Sequence, residues 1–258
     1  MPDATLSRLA EIAGEAGRIA HNSWRGEFNV WEKSPGHKVC DVDIAVNDFL
    51  REALTALDPD AGFLSEESVD DASRLDSPRV WIVDPIDGTR DFIRGREGWC
   101  ISVALVEEGQ PLIGVLDAPA RGEVWTAQAG KGARRNGDPL AVSGRTELPG
   151  ARVPMTTLPR GSEFVGVHQP NSIALRIGMV GSAEADLLAT LRWGHEWDVA
   201  ASALIAREAG ATVTDAFGEP LTFNTHRAEA FGVVAATPGI HAAAIERLAE
   251  RAKKAVVR

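Results

Sequence analysis

Residues able to do chemistry gather in three short acidic segments of this chain. The first is VWIVDPIDGTRDF, residues 80–92. An apolar run from Val80 to Val83 delivers Asp84 at its end, and Pro85 stops strand pairing because it lacks an N–H. Asp87 follows three residues on, so both carboxylates can turn toward one point just beyond a sheet. Gly88 lets the backbone approach a ligand closely. Thr89 then offers a hydroxyl and an N–H at a helix start, which suits a phosphate. Asp-Pro or Asp-Gly alone reads as a tight turn. Strand, two acids, glycine and threonine together read as a metal-phosphate site.

The second segment, GFLSEES, ends a short apolar run at Glu66 and Glu67. Paired acids at a strand end are usually solvated, but a third carboxylate near Asp84 and Asp87 is what a hard cation needs, since magnesium prefers octahedral oxygen ligands. The third segment is HEWDVAASALIAREAG, where Asp198 stands at the start of a helix and an N-cap role explains it adequately by itself. His195 beside acids suggests zinc, yet no second histidine lies at ligand spacing.

The elements that position these segments follow from periodicity. Leu6, Leu9, Ala13, Ala16, Ile19 and Ala20 predict a helix through Trp24, then a KSPGHK loop. A second helix carries Ile44, Phe49, Leu50, Ala53, Leu54 and Leu57 and stops at Asp58–Asp60. The runs GFLSEE, RVWIVDP, WCISVALVEEG, PLIGVLDAP and EVWTAQA read as strands, and Asn136-Gly137 as a hairpin turn. Residues 144–163, rich in Gly, Pro, Thr and Arg, read as a passage between two subdomains. Helices are expected at about 171–190, 198–210 and 239–254, with strands at ATVTD and AFGVVAAT. The chain thus divides into 1–148, with most of the candidate ligands, and 149–258, with Asp198.

The 258 residues are 44% hydrophobic and 25% charged, ordinary for a globular chain. Cys40 and Cys100 lie far apart, which excludes a disulfide scaffold or a zinc ribbon. The first twenty residues carry acids and no apolar stretch, and nothing approaches the roughly 18 apolar residues of a membrane span, so a cytoplasmic protein is expected. A net charge of −10 disfavours polymeric nucleic acid and anionic lipid; the basic GKGARR reads as a solvated hairpin. Trp81, Trp99 and Trp197 read as packing residues and Cys100 as a small buried hydrophobe.

SEES, DPIDGT and WDVAASALIAREAG, in that order, resemble the signatures of the inositol monophosphatase superfamily of metal-dependent, lithium-sensitive phosphomonoesterases, and GKGARRNG resembles its GxGAxxNG hairpin. The resemblance extends over nearly the whole chain. It implies an α+β or α/β fold, the layered αβαβα sandwich shared with fructose-1,6-bisphosphatase. It also implies two or more Mg²⁺ ions: one on Glu66, Asp84 and the Ile86 carbonyl, another on Asp84, Asp87 and Asp198. Gly88 and Thr89 would receive the phosphate, and Asp43 would work with Thr89 on the attacking water. Cys40 stands where the family usually has Thr, and Lys33 matches a lysine in a mobile loop near the metals. A homodimer is frequent in the family.

Two details resemble the 3'(2'),5'-bisphosphate nucleotidase branch: DGTRDF and the acid-Trp-Asp of HEWD. A third is Leu191, seven residues before Asp198, where inositol enzymes usually carry a Glu that accepts from inositol hydroxyls. These imply hydrolysis of the 3'-phosphate of adenosine 3',5'-bisphosphate. Inositol-1-phosphate and histidinol phosphate are the alternative substrates, and an inactive metal- or phosphate-binding homologue is the alternative of another class.

Overall fold

The computed structural model describes residues 2–34, 36–70 and 72–257. In chain order the first half holds α1 (Pro2–Ser23), β1 (Val30–Ser34), β2 (His37–Cys40), α2 (Asp41–Leu57), β3 (Gly62–Ser65), β4 (Arg79–Asp87), α3 (Thr89–Ile93), β5 (Cys100–Glu107), β6 (Gln110–Ala118), β7 (Glu123–Gln128), β8 (Gly132–Arg135) and β9 (Asp138–Pro139). The second half holds β10 (Arg152–Val153), β11 (Val165–Gly166), α4 (Ile173–Gly181), β12 (Leu187–Ala189), β13 (Trp193–His195), α5 (Ala200–Glu208), β14 (Thr212–Thr214), β15 (Glu229–Phe231), β16 (Val234–Ala236) and α6 (Pro238–Ala255).

β3 to β9 form one seven-stranded sheet in sequence order, antiparallel except for the parallel β3–β4 pair. Its central strands are nearly unbroken apolar runs, as a sheet covered on both faces requires. On one face Leu9, Ala13, Ala16 and Ala20 of α1 and Val46, Leu50 and Leu54 of α2 meet Trp81, Val83, Ile101 and Val103. On the other face α4 and α5 bring Leu175, Ile177, Leu204 and Ile205 against Val80, Ile82, Leu116 and Trp125. A smaller sheet, ordered β12-β16-β14, lies beyond α4 and α5, and α6 closes its outer side through Ile240 and Ala244. The five layers are helix, sheet, helix, sheet, helix. One continuous core runs from Leu64 to Ala235, so α4 and α5 belong to the large sheet as much as to the small one.

The differences from the sequence expectations are local. The stretch expected to be helical over 171–190 ends as α4 at Gly181; Ala183 takes a left-handed φ of 59°, and the chain restarts as β12 against β16. AFGVVAAT divides into β15 and β16 at Gly232. The KSPGHK loop belongs to an exposed hairpin, β1 with β2, whose Pro35 lies outside the described residues. Asp198 does not cap α5: the cap position is Val199, and no side chain bonds there.

Candidate active site

The two acids of DPIDGT face one way because β4 bulges. Asp84 pairs with Ser102 and Asp87 with Cys100, so three steps on β4 match two on β5. Asp84 Oδ1 accepts the Ile86 amide at 3.0 Å. The chain then turns at Gly88, with φ 98°; a Cβ there would stand 2.6 Å from the Gly98 carbonyl. That turn begins α3 at Thr89, whose hydroxyl donates to the Ile86 carbonyl at 3.0 Å and reaches Asp43 Oδ1 at 3.4 Å.

β3 runs parallel to β4 and delivers Glu66 beside Asp84, the Glu66 amide reaching the Val83 carbonyl at 3.3 Å. The HEWD segment brings Asp198 from the other half of the chain, its Oδ2 accepting the His195 amide at 3.3 Å. Ligand oxygens of Glu66, Asp84 and Asp198 lie within 4.8 Å of one another. Burial pushes the Asp84 carboxyl well above the usual range, and the charges of Glu66, Asp87 and Asp198 push it further. Burial, then Asp87 and Glu66, raise Asp198 to about 8. Three carboxylates this close cannot all ionise without a counter-charge. The donor set is all carboxylate oxygen and fits a hard divalent ion such as Mg²⁺, held by Glu66, Asp84 and Asp198.

Asp87 borders the same cleft but is engaged from behind. Ser172 Oγ donates to its Oδ2 at 2.6 Å, and the amides of Ala174 and Ile173 at the start of α4 approach at 2.7 and 3.3 Å. Burial still raises it to about 6 against those bonds. Asp43 sits at the start of α2, where its Oδ2 accepts the Cys40 amide and the Cys40 thiol, both at 2.8 Å. Cysteine therefore supplies a donor where threonine is usual. Burial brings Asp43 to about 6, opposed by those Cys40 bonds. Lys33 of β1 spans the Glu66–Glu67 pair, 3.4 Å from Glu66 Oε1 and closer to Glu67.

The cleft has a volume of about 350 Å³. It is lined by Glu66, Asp84, Asp87 and Asp198 and by four cations, Lys38, Arg90, Arg176 and Arg192. Of these four cations the sequence pointed only to Arg90, as the basic residue of DGTRDF. Arg176 left a trace, as the one charge in the apolar run of α4, and Ser172 left another, as a polar residue opening that run. Trp197 lines the cleft with its ring stacked on His195, centroids 4.3 Å apart, whereas Trp81 and Trp99 are core. His195 lies outside the cluster of carboxylate oxygens.

Leu191 is not on the cleft wall. It packs toward Ala216, Phe231 and Ala252, while its neighbours Thr190 and Arg192 line the cleft. Glu196 is also turned away and buried, accepting from Asn224 and Thr225.

Comparison with known proteins agrees with this geometry. The profile of the inositol monophosphatase family matches residues 3–256. Inositol monophosphatase 3 of Solanum lycopersicum is 31% identical, over 87% of this chain and 91% of its own length. The 3'(2'),5'-bisphosphate nucleotidase CysQ of Escherichia coli is 29% identical, over 84% of this chain and 93% of its own. An IMPase structure from Thermotoga maritima superposes with a TM-score of 0.82 at 26% identity, covering 97% of this chain and 98% of that one. Layered fold, bulged acidic strand and whole-length match lead to one conclusion: the chain belongs to the inositol monophosphatase family, whose members are phosphatases that in general depend on Mg²⁺.

Proposed function

We propose that the protein removes the 3'-phosphate of adenosine 3',5'-bisphosphate. The observation that carries this reading is the set of four cations that line the cleft with the acids. Among the described residues, Lys38, Arg90, Arg176 and Arg192 line it together with Glu66, Asp84, Asp87 and Asp198, and Arg176 and Arg192 lie close enough to act on Asp87 and Asp198. A neutral polyol leaving group needs acceptors for its hydroxyls, and each one desolvated without a partner costs about 1–3 kcal/mol. Four cations instead favour a leaving group with its own anionic substituent. Arg176 also lines an adjoining, more apolar groove of about 710 Å³ with Leu187, Leu188 and Leu191, which offers room and surface for a base. Leu191 thus bears on substrate choice through that groove, not through the cleft.

Within this reading, Glu66, Asp84 and Asp198 hold the cation, with the Ile86 carbonyl and Asp87 at its margin. When bound, Mg²⁺ neutralises charge on the phosphoryl oxygens and makes a water more acidic. The chain's own part is orientation and proton handling. Thr89 aligns the attacking water and passes its proton to Asp43, 3.4 Å away. The arginines and Lys38 fix the leaving group so that attack is in line.

Side-by-side steady-state kinetics at saturating Mg²⁺ test the reading. A higher kcat/KM for adenosine 3',5'-bisphosphate than for inositol-1-phosphate is expected. Preference for inositol-1-phosphate overturns the nucleotide assignment and leaves the phosphatase intact.

A further inference from the structure

A buried polar network joins a turn that follows β3 to the segment that carries Asp198. Arg74, in a short 3-10 turn at Ser73–Asp76, is 1% exposed. Its Nη2 donates to Asp70 Oδ2 at 2.8 Å and to the Thr225 carbonyl at 2.9 Å; its Nη1 donates to Asn224 Oδ1 at 2.5 Å. Asn224 Nδ2 returns a bond to the Arg74 carbonyl at 3.3 Å. From the opposite side Glu196, also 1% exposed, accepts the Asn224 amide at 2.6 Å, the Thr225 amide at 2.9 Å and the Thr225 hydroxyl at 2.5 Å.

One end of this network lies beside Asp198, and the other is tied to the start of the strand that leads to Glu66. Arg74 packs so tightly on the first residue of β3 that a Cβ at Gly62 would stand 2.9 Å from Arg74 Cα, and β3 ends one residue before Glu66. Glu196 precedes Asp198 by two residues. Neither Arg74 nor Glu196 lines the cleft. Asp198 needs such support, because Asp87 and Glu66 repel it and α5 begins without a side-chain cap.

We propose that Arg74 and Glu196 are positioning residues that set divalent-cation affinity by fixing Asp198 across from Glu66 and Asp84. The proposal rests on those three carboxylates holding the cation. Its physical basis is directional: an arginine fork meets fixed acceptors, and a carboxylate meets three donors that leave it one orientation. Glutamine at 196 would turn an amide N–H₂ toward those same donors.

The test titrates metal-free protein with Mg²⁺ alone, by calorimetry and by thermal melts, alongside the half-saturating Mg²⁺ for phosphate release. Glu196→Gln and Arg74→Lys should weaken Mg²⁺ binding by about 10-fold or more, the usual effect of losing a support behind a metal ligand, while kcat at saturating Mg²⁺ stays within about threefold. Thr225→Val, which removes one hydroxyl and no backbone bond, should shift affinity in the same direction by less. Asp186→Asn, which breaks an ion pair elsewhere, should lower the melting temperature with Mg²⁺ affinity unchanged. Network variants that melt lower yet bind Mg²⁺ like the wild type overturn the proposal. Wild-type protein that binds no Mg²⁺ overturns the cation reading beneath it.

Discussion

Asp186 and Asp84 are buried to the same degree, 1% and 2% exposed, and their surroundings treat them oppositely. Asp186 is met by Arg152 through Nη2 at 2.6 Å and Nε at 3.0 Å, by the Arg152 amide at 2.8 Å and by the Ser143 hydroxyl at 2.6 Å. Burial alone would raise its carboxyl; these partners outweigh burial and hold it at about 2. Asp84 has the Ile86 amide and four acids, Glu66, Asp87, Asp198 and Asp43, for company, and rises. A paired acid of this kind ties β10 to the start of β12. An unpaired one is a cost in the metal-free fold that a cation removes.

Replacing each acid by its amide should separate the two roles. Asp84→Asn should lower phosphate release by at least about 100-fold, since a central ligand loses its charge. The same change should raise the melting temperature of metal-free protein, because a desolvated charge disappears. An Asp84→Asn protein that hydrolyses at wild-type rate breaks the comparison.

The acidic cluster should also give stability an unusual pH dependence. Asp198 at about 8 and Asp43 and Asp87 at about 6 all lie above their unfolded values near 4. Between those limits the folded state binds more protons than the unfolded chain, so stability falls as pH rises from about 4 through about 8. Melts in EDTA should therefore drop over that window by on the order of several degrees, and saturating Mg²⁺ should flatten the curve. A melting temperature that rises with pH in EDTA would show that the carboxylates are relieved by something other than a cation.

Asp186→Asn sharpens the contrast from the other side. Removing the charge that faces Arg152 should destabilise the fold by about 1–3 kcal/mol in chemical denaturation, with kcat unchanged.

What could be read in the sequence was what is local along the chain. DPIDGT announced itself because strand end, proline, two acids and glycine are contiguous, and SEES because a short apolar run delivers its acids. Asp87's engagement with Ser172 was invisible, since 85 residues separate them. Leu191 was misplaced for a simpler reason. Thr190 and Arg192 line the cleft, whereas Leu191 between them packs toward Ala216, Phe231 and Ala252. Counting back from Asp198 finds the position but not the face. The 171–190 stretch carries alanine and leucine on both sides of Gly181 and Ser182, where α4 ends, and pairing with β16 claims Leu187–Ala189 for a strand. The cationic wall stayed hidden because its members come from β2, α3, α4 and the segment before β13, and only the fold gathers them.

The smallest expected effect concerns Cys40. Its thiol and amide both reach Asp43 Oδ2, so the departure from threonine keeps a donor and changes only its strength. Cys40→Ser replaces a weak S–H donor by an O–H at a site that is fully buried. A stronger donor favours the ionised carboxylate, so Asp43, held at about 6 by burial, should move down. If Asp43 takes up the proton of the attacking water, it must be ionised to do so, and the acidic limb of kcat/KM should shift to lower pH by about half a unit, equivalent to about 0.7 kcal/mol. The plateau at higher pH should stay within about twofold, because the ionised carboxylate is then present in both proteins. A limb that does not move while the melting temperature changes would place Cys40 in helix capping alone and remove Asp43 from the proton path.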